Sequence, residues 1–422
     1  MNVTVSGNRL AGTVNAIASK SAVHRLAVCA AYSNAPTVIE NVTLSQDIEA
    51  TIRCLQHTAE IKFENSRLLI TPREKPQKNP YLDCGESGST LRFLLPVIAA
   101  TGGGSFVGHG RLANRPLSPL YELLLENGCQ LSKAGEFPLT VSGTLQGDVF
   151  EIDGGVSSQF ISGLLLAAPL LKRTVRIVVT GKIESAPYIQ LTVDALRCFG
   201  VTVEEHQNTF LVKGEYTSPG TVTAEGDWSN AAFWLVGAAV SHSKDFSVTG
   251  LKHDSLQGDR KILSLLQQAG FTVREQNGAI TIGGNGSKPL CIDAADIPDL
   301  VPVAAVLAAA LQGKTNIVNA HRLAYKESDR LQSVYQMITA LGGKATVTDD
   351  SLTIEGTGRL CGGTVDACSD HRIAMSAAVA ALICENQVTI LGAESADKSY
   401  PQFFKEFEQK GMSVCPLLGE TI

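Results

Sequence analysis

None of the ten cysteines in this chain of 422 residues stands in a C-x-x-C pair. Its absence removes the commonest redox and zinc signatures. Cys29, Cys198 and Cys384 fall inside apolar helical patterns, where cysteine acts as a small hydrophobe. Cys368 and His371 are an isolated pair without two further ligands at metal-site spacing, so no metal is expected. No secretory signal is visible, and the thiols read as reduced ones of a cytoplasmic protein. Excess positive charge is also missing. Lys and Arg number 35 against 41 Asp and Glu, a net charge of −6, whereas a bulk nucleic-acid binder is normally basic. The apolar run 300–311 is too short to span a bilayer and reads as a buried helix, so no membrane partner is expected. There is no Walker A loop. Residues 108–113 nominally fit G-x-G-x-x-A, but Asn114, Arg115 and Pro116 interrupt the helix a dinucleotide fingerprint requires. No low-complexity linker divides the chain, and 44% hydrophobic with 18% charged residues is the balance of a globular protein.

What is present is a repeat of roughly seventy residues, a regular period of the kind that marks repeat architectures. One half of the unit is a strand, a polar loop and an alanine-rich apolar helix: VNAIASKSAVHRLAVCAA, LDCGESGSTLRFLLPVIAA, FEIDGGVSSQFISGLLLAA, VTAEGDWSNAAFWLVGAA, CIDAADIPDLVPVAAVLAAA and GTVDACSDHRIAMSAAVAAL. The other half is an amphipathic helix, a glycine and a strand, as in DRKILSLLQQAGFTV; its first copy, from Asp47, lacks the glycine. Ser21, Ser89, Ser158, Asn230, Asp299 and Asp370 are equivalent loop positions. Alternating strands and helices predict an α/β fold with mixed sheets. Segments such as VPVAAVLAAA are apolar nearly all round and must be buried on every side. Three packed together make a core with the sheets outside, an inside-out barrel-like domain. Six units therefore predict two such domains, 18–225 and 1–17 plus 226–422, each of three pseudo-symmetric strand-helix-strand-helix-strand units. The boundary is placed near residues 220–226. The opening strand NVTVSG has no unit of its own and is expected to complete the last one, so that the chain crosses between domains twice.

The polar loops carry the chemistry. Ser, Thr, Asn and Asp before a helix are ordinary N-caps worth about 1 kcal/mol each, and capping alone accounts for Ser21, Ser158, Asn230, Asp299 and Asp370. It does not account for Lys20, Arg25, Arg92 and Arg372. Cations in a helix's first turn oppose the macrodipole at a cost on the order of 0.3–1 kcal/mol each. Their recurrence across units points to a bound anion, since helix N-termini with added Arg or Lys bind phosphate and carboxylate. Further cations sit in GRLANRPLSP (Arg111, Arg115), AYKESDRL (Lys326, Arg330) and ADKSYP (Lys398). The equivalents of KESDR elsewhere, SAPYIQ and LQGDRK, show that the repeat does not require its charge. Acid–base candidates are Asp299, Glu327, Asp370 and His371. A carboxylate among Lys and Arg stays ionised and can accept a proton. His371, beside Arg372, is expected to be neutral. The fourth unit's GDWSN has no cation and reads as structural.

At SKSAVHR, SSQF, NRPLSPL, YKESDRL, SDHRIAMS and ADKSYP, all in family order, nearly the whole chain resembles the 5-enolpyruvylshikimate-3-phosphate synthase family. The resemblance implies two inside-out domains closing over a cleft. It also implies transfer of the enolpyruvyl group of phosphoenolpyruvate to the 5-hydroxyl of shikimate 3-phosphate with release of phosphate, without cofactor or metal, in a cytoplasmic enzyme expected to be a monomer. By matching position, Lys20, Ser21, Arg25, Ser157, Ser158, Gln159, Ser185, Tyr188, Asp299 and Lys326 would hold shikimate 3-phosphate. Lys20, Gly88, Arg115, Gln159, Arg330, Arg372 and Lys398 would hold phosphoenolpyruvate. Asp299 would take the hydroxyl proton, and Glu327 with Lys20 or Lys398 would manage protons at the enol carbon. The loop GESGST departs from the family's usual Asn at Glu86, and Ser89 and Thr90 also vary; an ionised Glu86 must turn away or pair with a cation. Gly88 is present, and inhibition by glyphosate is expected. The sister enzyme acting on UDP-N-acetylglucosamine carries a loop cysteine that GHGRLANRPLSP lacks. A repeat-built scaffold leaves the cations unexplained, and the nucleotide-binding histidine motif of an RNA 3′-phosphate cyclase is not found.

Overall fold

A computed structural model describes residues 1–417. The chain forms two compact units, Ala18–Glu225 and Met1–Ile17 with Gly226–Ile422. Each is built around three apolar helices: Lys20–Ala31, Gly88–Ala100 and Ser158–Ala167 in the first, Trp228–Val240, Val301–Ala310 and His371–Ala380 in the second. Every residue of Trp228–Val240 is buried, as its lack of a polar face demands. Close helix packing depends on small residues. A Cβ on Gly163 would meet Pro96 Cγ at 2.8 Å and the Arg92 carbonyl, so glycine sets the approach of Ser158–Ala167 to Gly88–Ala100. In the other unit Trp234 fills the core against Phe246, Phe403 and Phe407, with ring centroids 5.5–5.9 Å apart.

Around each trio lie three open four-stranded sheets, and among the described residues no barrel closes. All six sheets share one pattern. In one, Val149–Asp153 pairs parallel with Val175–Thr180, the crossover being the buried helix between them. An amphipathic helix then leads to the hairpin Thr202–His206 and Thr209–Lys213, which closes the sheet antiparallel. The parallel step needs a crossover and the hairpin does not. The opening strand Asn2–Ser6 pairs antiparallel with Val388–Leu391 and Ser413–Pro416 and so completes the sixth unit.

At the crossings two strands trade places. Gly12–Asn15 precedes the helix Lys20–Ala31 but pairs parallel with Phe246–Thr249. Thr221–Thr223 precedes Trp228–Val240 but pairs parallel with Thr37–Glu40. No helix among the described residues is long and apolar enough to cross a membrane.

Candidate active site

The helix starts are capped by residues other than most of those the spacing suggested. Ser19, Ser87 and Ser157 cap the first three core helices, accepting from Ala22, Thr90 and Gln159 N–H, and Asp227 accepts from Asn230 N–H. Val301–Ala310 begins at Leu300 with no side-chain cap. Ser21, Ser158, Asn230 and Asp299 therefore are not caps, and of the expected set only Asp370 is, accepting from Arg372 N–H at 3.0 Å. Two cations also move. Arg25 and Arg92 stand in the second turns of their helices, leaving only Lys20 and Arg372 in first turns. Both of these have a carboxylate: Lys20 Nζ lies 2.6 Å from Asp47 and Arg372 Nη2 lies 3.3 Å from Asp299. The two first-turn cations are thus already paired, and it is the burial of Arg25 that singles out a cation without a carboxylate beside it.

In the unit Ala18–Glu225, Arg25 is only 2% exposed. Its Nε donates to Thr192 Oγ1, Nη1 to the Ser21 carbonyl, and Nη2 to Ser162 Oγ and the Tyr188 carbonyl. Its face lies 4.8 Å from the Phe93 ring centroid. Among the described residues none of its partners is a carboxylate. Burial lowers its pKa to about 10, against a partial rise from Tyr188. Of the five guanidinium N–H groups these bonds use four, leaving one Nη1–H.

Nearby helix starts are tied to each other. Gln159 accepts from Arg92 Nη1 at 2.8 Å and donates to Ser89 Oγ at 2.9 Å. Arg92 also donates to the Pro116 carbonyl. The Arg115 guanidinium lies over Gly88, where a Cβ would come within 2.5 Å of Nη1, so that a larger residue would push the guanidinium aside. Ser157 and Ser158 are buried, and Ser185 holds a left-handed backbone, φ 56, before the helix Ala186–Cys198. For a serine that conformation costs on the order of 1–3 kcal/mol. Glu86 is exposed, its carboxylate against Gly110.

In the other unit cations and carboxylates interlock. Arg330 is 0% exposed and donates to three carboxylates: Asp299 at 2.7 Å, Glu327 at 2.5 Å and Asp370 at 2.9 Å. Asp299 also faces Lys326 at 3.5 Å, and its backbone carbonyl accepts from Arg372 Nη1 at 3.2 Å. Burial would raise the Asp299 pKa, but Arg372, Lys326 and Arg330 together drive it well below the carboxylate range. Burial lowers Lys326 to about 8, with Asp299 opposing the shift. Burial also works against Arg330, yet Asp370, Glu327 and Asp299 raise it. Lys398 Nζ donates to the Ser369 carbonyl at 2.8 Å, and His371 is buried at the first position of its helix.

The sequence reading missed two groups. Asp47, the partner of Lys20, sits 27 residues away at a helix start where any acid is favourable, and nothing singled it out. Asp259, in LQGDRK, is fully buried and accepts from Ser229 Oγ of the fourth unit. Burial and the Asp299 charge raise its pKa to about 7. The GDWSN segment therefore supplies a polar contact to this cluster as well as a cap. Among the described residues no group of three or more His, Cys, Asp or Glu is placed to hold a metal.

This fold is shared with solved enolpyruvyl transferases. The solved EPSP synthase from Acinetobacter baumannii superposes with a TM-score of 0.79 at 25% identity, covering 98% of this chain and 100% of that one. The enolpyruvyl transferase NikO from Streptomyces tendae gives a TM-score of 0.78 over 98% of each chain; at 18% identity this speaks for the fold alone. The family model for EPSP synthase (3-phosphoshikimate 1-carboxyvinyltransferase) matches residues 5–407, and the chain belongs to that family. Similar relatives of that name include those of Clostridium kluyveri, 39% identical over 418 residues and 98% of each chain, and Clostridioides difficile, 38% identical over 421 residues and 96% of each.

Proposed function

We propose that this chain transfers the enolpyruvyl group of phosphoenolpyruvate to the 5-hydroxyl of shikimate 3-phosphate and releases inorganic phosphate, by addition–elimination through a tetrahedral intermediate. Family membership supports the reaction. The observation that carries the mechanism is the Asp299 carboxylate held among Lys326, Arg330 and Arg372. In this reading Lys20, Ser21, Arg25, Ser157, Ser158, Gln159, Ser185, Tyr188, Asp299 and Lys326 bind shikimate 3-phosphate. Lys20, Gly88, Arg115, Gln159, Arg330, Arg372 and Lys398 bind phosphoenolpyruvate. The enzyme is read as a cytoplasmic monomer.

The electrostatics give Asp299 a conditional role. With its cations undivided it is ionised but a weak base. Phosphate and carboxylate groups of the substrates, bound to the same cations, draw off part of that field. Its proton affinity rises as the reactants arrive, which suits a general base. Asp299 then takes the 5-hydroxyl proton while the oxygen attacks C2 of phosphoenolpyruvate and C3 gains a proton from Glu327, Lys20 or Lys398. In the second step C3 returns a proton and the C2–O bond to phosphate breaks. Cations already in place stabilise the charge that moves onto the leaving group.

Phosphate release measured with phosphoenolpyruvate plus shikimate 3-phosphate, and separately plus UDP-N-acetylglucosamine, tests the assignment. Release with the first acceptor is expected; release with the second alone overturns it. Glyphosate, which mimics phosphoenolpyruvate, is expected to inhibit, and activity unaffected by the inhibitor in a standard assay contradicts that.

A further inference from the structure

Behind Lys20 and Gly88 runs a buried chain of hydrogen bonds. His24 Nδ1 lies 2.7 Å from Thr51 Oγ1, which lies 2.7 Å from Thr90 Oγ1, which donates to Ser87 Oγ at 2.7 Å. Ser87 Oγ also accepts from Thr90 N–H, as the cap of the helix Gly88–Ala100. All four side chains are buried. A hydroxyl has one proton to donate, so the order along the chain is determined. Thr90 gives its proton to Ser87, Thr51 must then give its own to Thr90, and the hydrogen between His24 and Thr51 belongs to the imidazole. His24 is therefore the Nδ1–H tautomer. Its Nε2, a bare lone pair, is buried with no hydrogen-bond partner among the described residues.

The chain links the elements that carry the site. His24 is one turn beyond Lys20 on Lys20–Ala31, and Thr51 is one turn beyond Asp47 on Gln46–Leu55. Residues four apart share a helix face, so the Lys20–Asp47 ion pair and the His24–Thr51 hydrogen bond are successive rungs between the same two helices. Thr90 and Ser87 extend the second rung to the residue before Gly88, over which Arg115 lies. Phe93, on the same helix, takes the His24 ring edge-on at 6.4 Å and the Arg25 guanidinium on its face.

We infer that His24, Thr51, Thr90 and Ser87 are positioning residues that hold the Gly88 helix start in register with Lys20, and so set the affinity for phosphoenolpyruvate. This rests on the substrate assignment made above. Burial, with the charges of Lys20 and Arg25 nearby, lowers the His24 pKa well below the usual histidine value, which keeps the ring neutral and the order intact.

Two measurements decide it. In Thr51→Val the KM for phosphoenolpyruvate should rise roughly three- to tenfold, the factor of one net buried hydrogen bond, with kcat and the KM for shikimate 3-phosphate within about twofold. Thr51→Ser, which keeps the hydroxyl, should restore the original KM. A merely structural threonine would lower thermal stability and leave that split unmoved, and an unchanged KM in folded Thr51→Val overturns the inference. Independently, ¹⁵N NMR of the wild-type protein should show His24 as the Nδ1–H tautomer at neutral pH. The Nε2–H tautomer or an imidazolium breaks the chain, whether or not the variant folds. If no enolpyruvyl transfer is detected, the functional reading falls while the tautomer still tests the hydrogen-bond order.

Discussion

Arg25 and Arg330 are both buried guanidiniums, one in each unit, at 2% and 0% exposure. Their surroundings are opposite. Among the described residues Arg25 is held by hydroxyls and carbonyls alone. Arg330 is held by three carboxylates. Burial pulls the pKa of the first down to about 10, while carboxylates push that of the second up. A buried charge without a countercharge is a standing cost that a bound anion relieves; a buried charge among carboxylates is already neutralised and works as a scaffold. Two equally buried arginines therefore do different work. Arg25 is the one proposed to take an anion. Arg330 aligns Asp299, Glu327 and Asp370 and is open to a ligand only at their expense.

Substitutions sharpen that contrast. The largest effect is expected at the carboxylate that Arg330 aligns: Asp299→Ala should lower kcat by about 10²–10⁴, the usual worth of an acid–base group, with far smaller changes in KM. A fall under about tenfold in steady-state assays would remove Asp299 from the base role. Next comes stability. Arg330→Met takes the buried cation away from Asp370 and Glu327, while Asp299 keeps Lys326 and Arg372, and should destabilise by about 3–5 kcal/mol, whereas Arg25→Met removes a buried charge that has no countercharge and should be neutral or stabilising. Denaturant unfolding of the two variants checks this, and equal losses would erase the distinction.

The smallest effect is one of pH. Lys326, with its folded pKa at about 8, loses its proton as pH rises through that value. The KM for shikimate 3-phosphate should climb above about pH 8 with a lesser effect on kcat, and Lys326→Arg should flatten the climb because arginine stays charged. The sign for stability is the reverse. Between the folded value and the ordinary lysine value near 10.5 the unfolded state binds more protons, so this group's burial penalty fades and stability gains as pH rises. A KM profile flat across pH 8 in the wild type would show that Lys326 does not bind the substrate as a cation.

The architecture was legible because six copies of one hydrophobic pattern leave little choice of fold, and because helices such as Val301–Ala310 have no face to show water. The caps were less legible. In SKS two serines precede the helical run, and only chain geometry decides that Ser19 caps while Ser21 does not. The same two-residue offset put Arg25 and Arg92 in first turns when they stand in second ones. Pairings across elements had no sequence signal at all: Lys20 with Asp47, Ser229 with Asp259 and Thr51 with Thr90 depend on which helices the repeat packs together.

Shikimate 3-phosphate binding to the wild type and to Arg25→Met, measured by calorimetry without phosphoenolpyruvate, decides whether Arg25 binds a substrate anion. A lost charge-assisted hydrogen bond predicts binding weakened by about ten- to a hundredfold in a variant at least as stable as the parent. Unchanged affinity with reduced stability would contradict it, and would make Arg25 a second scaffold like Arg330.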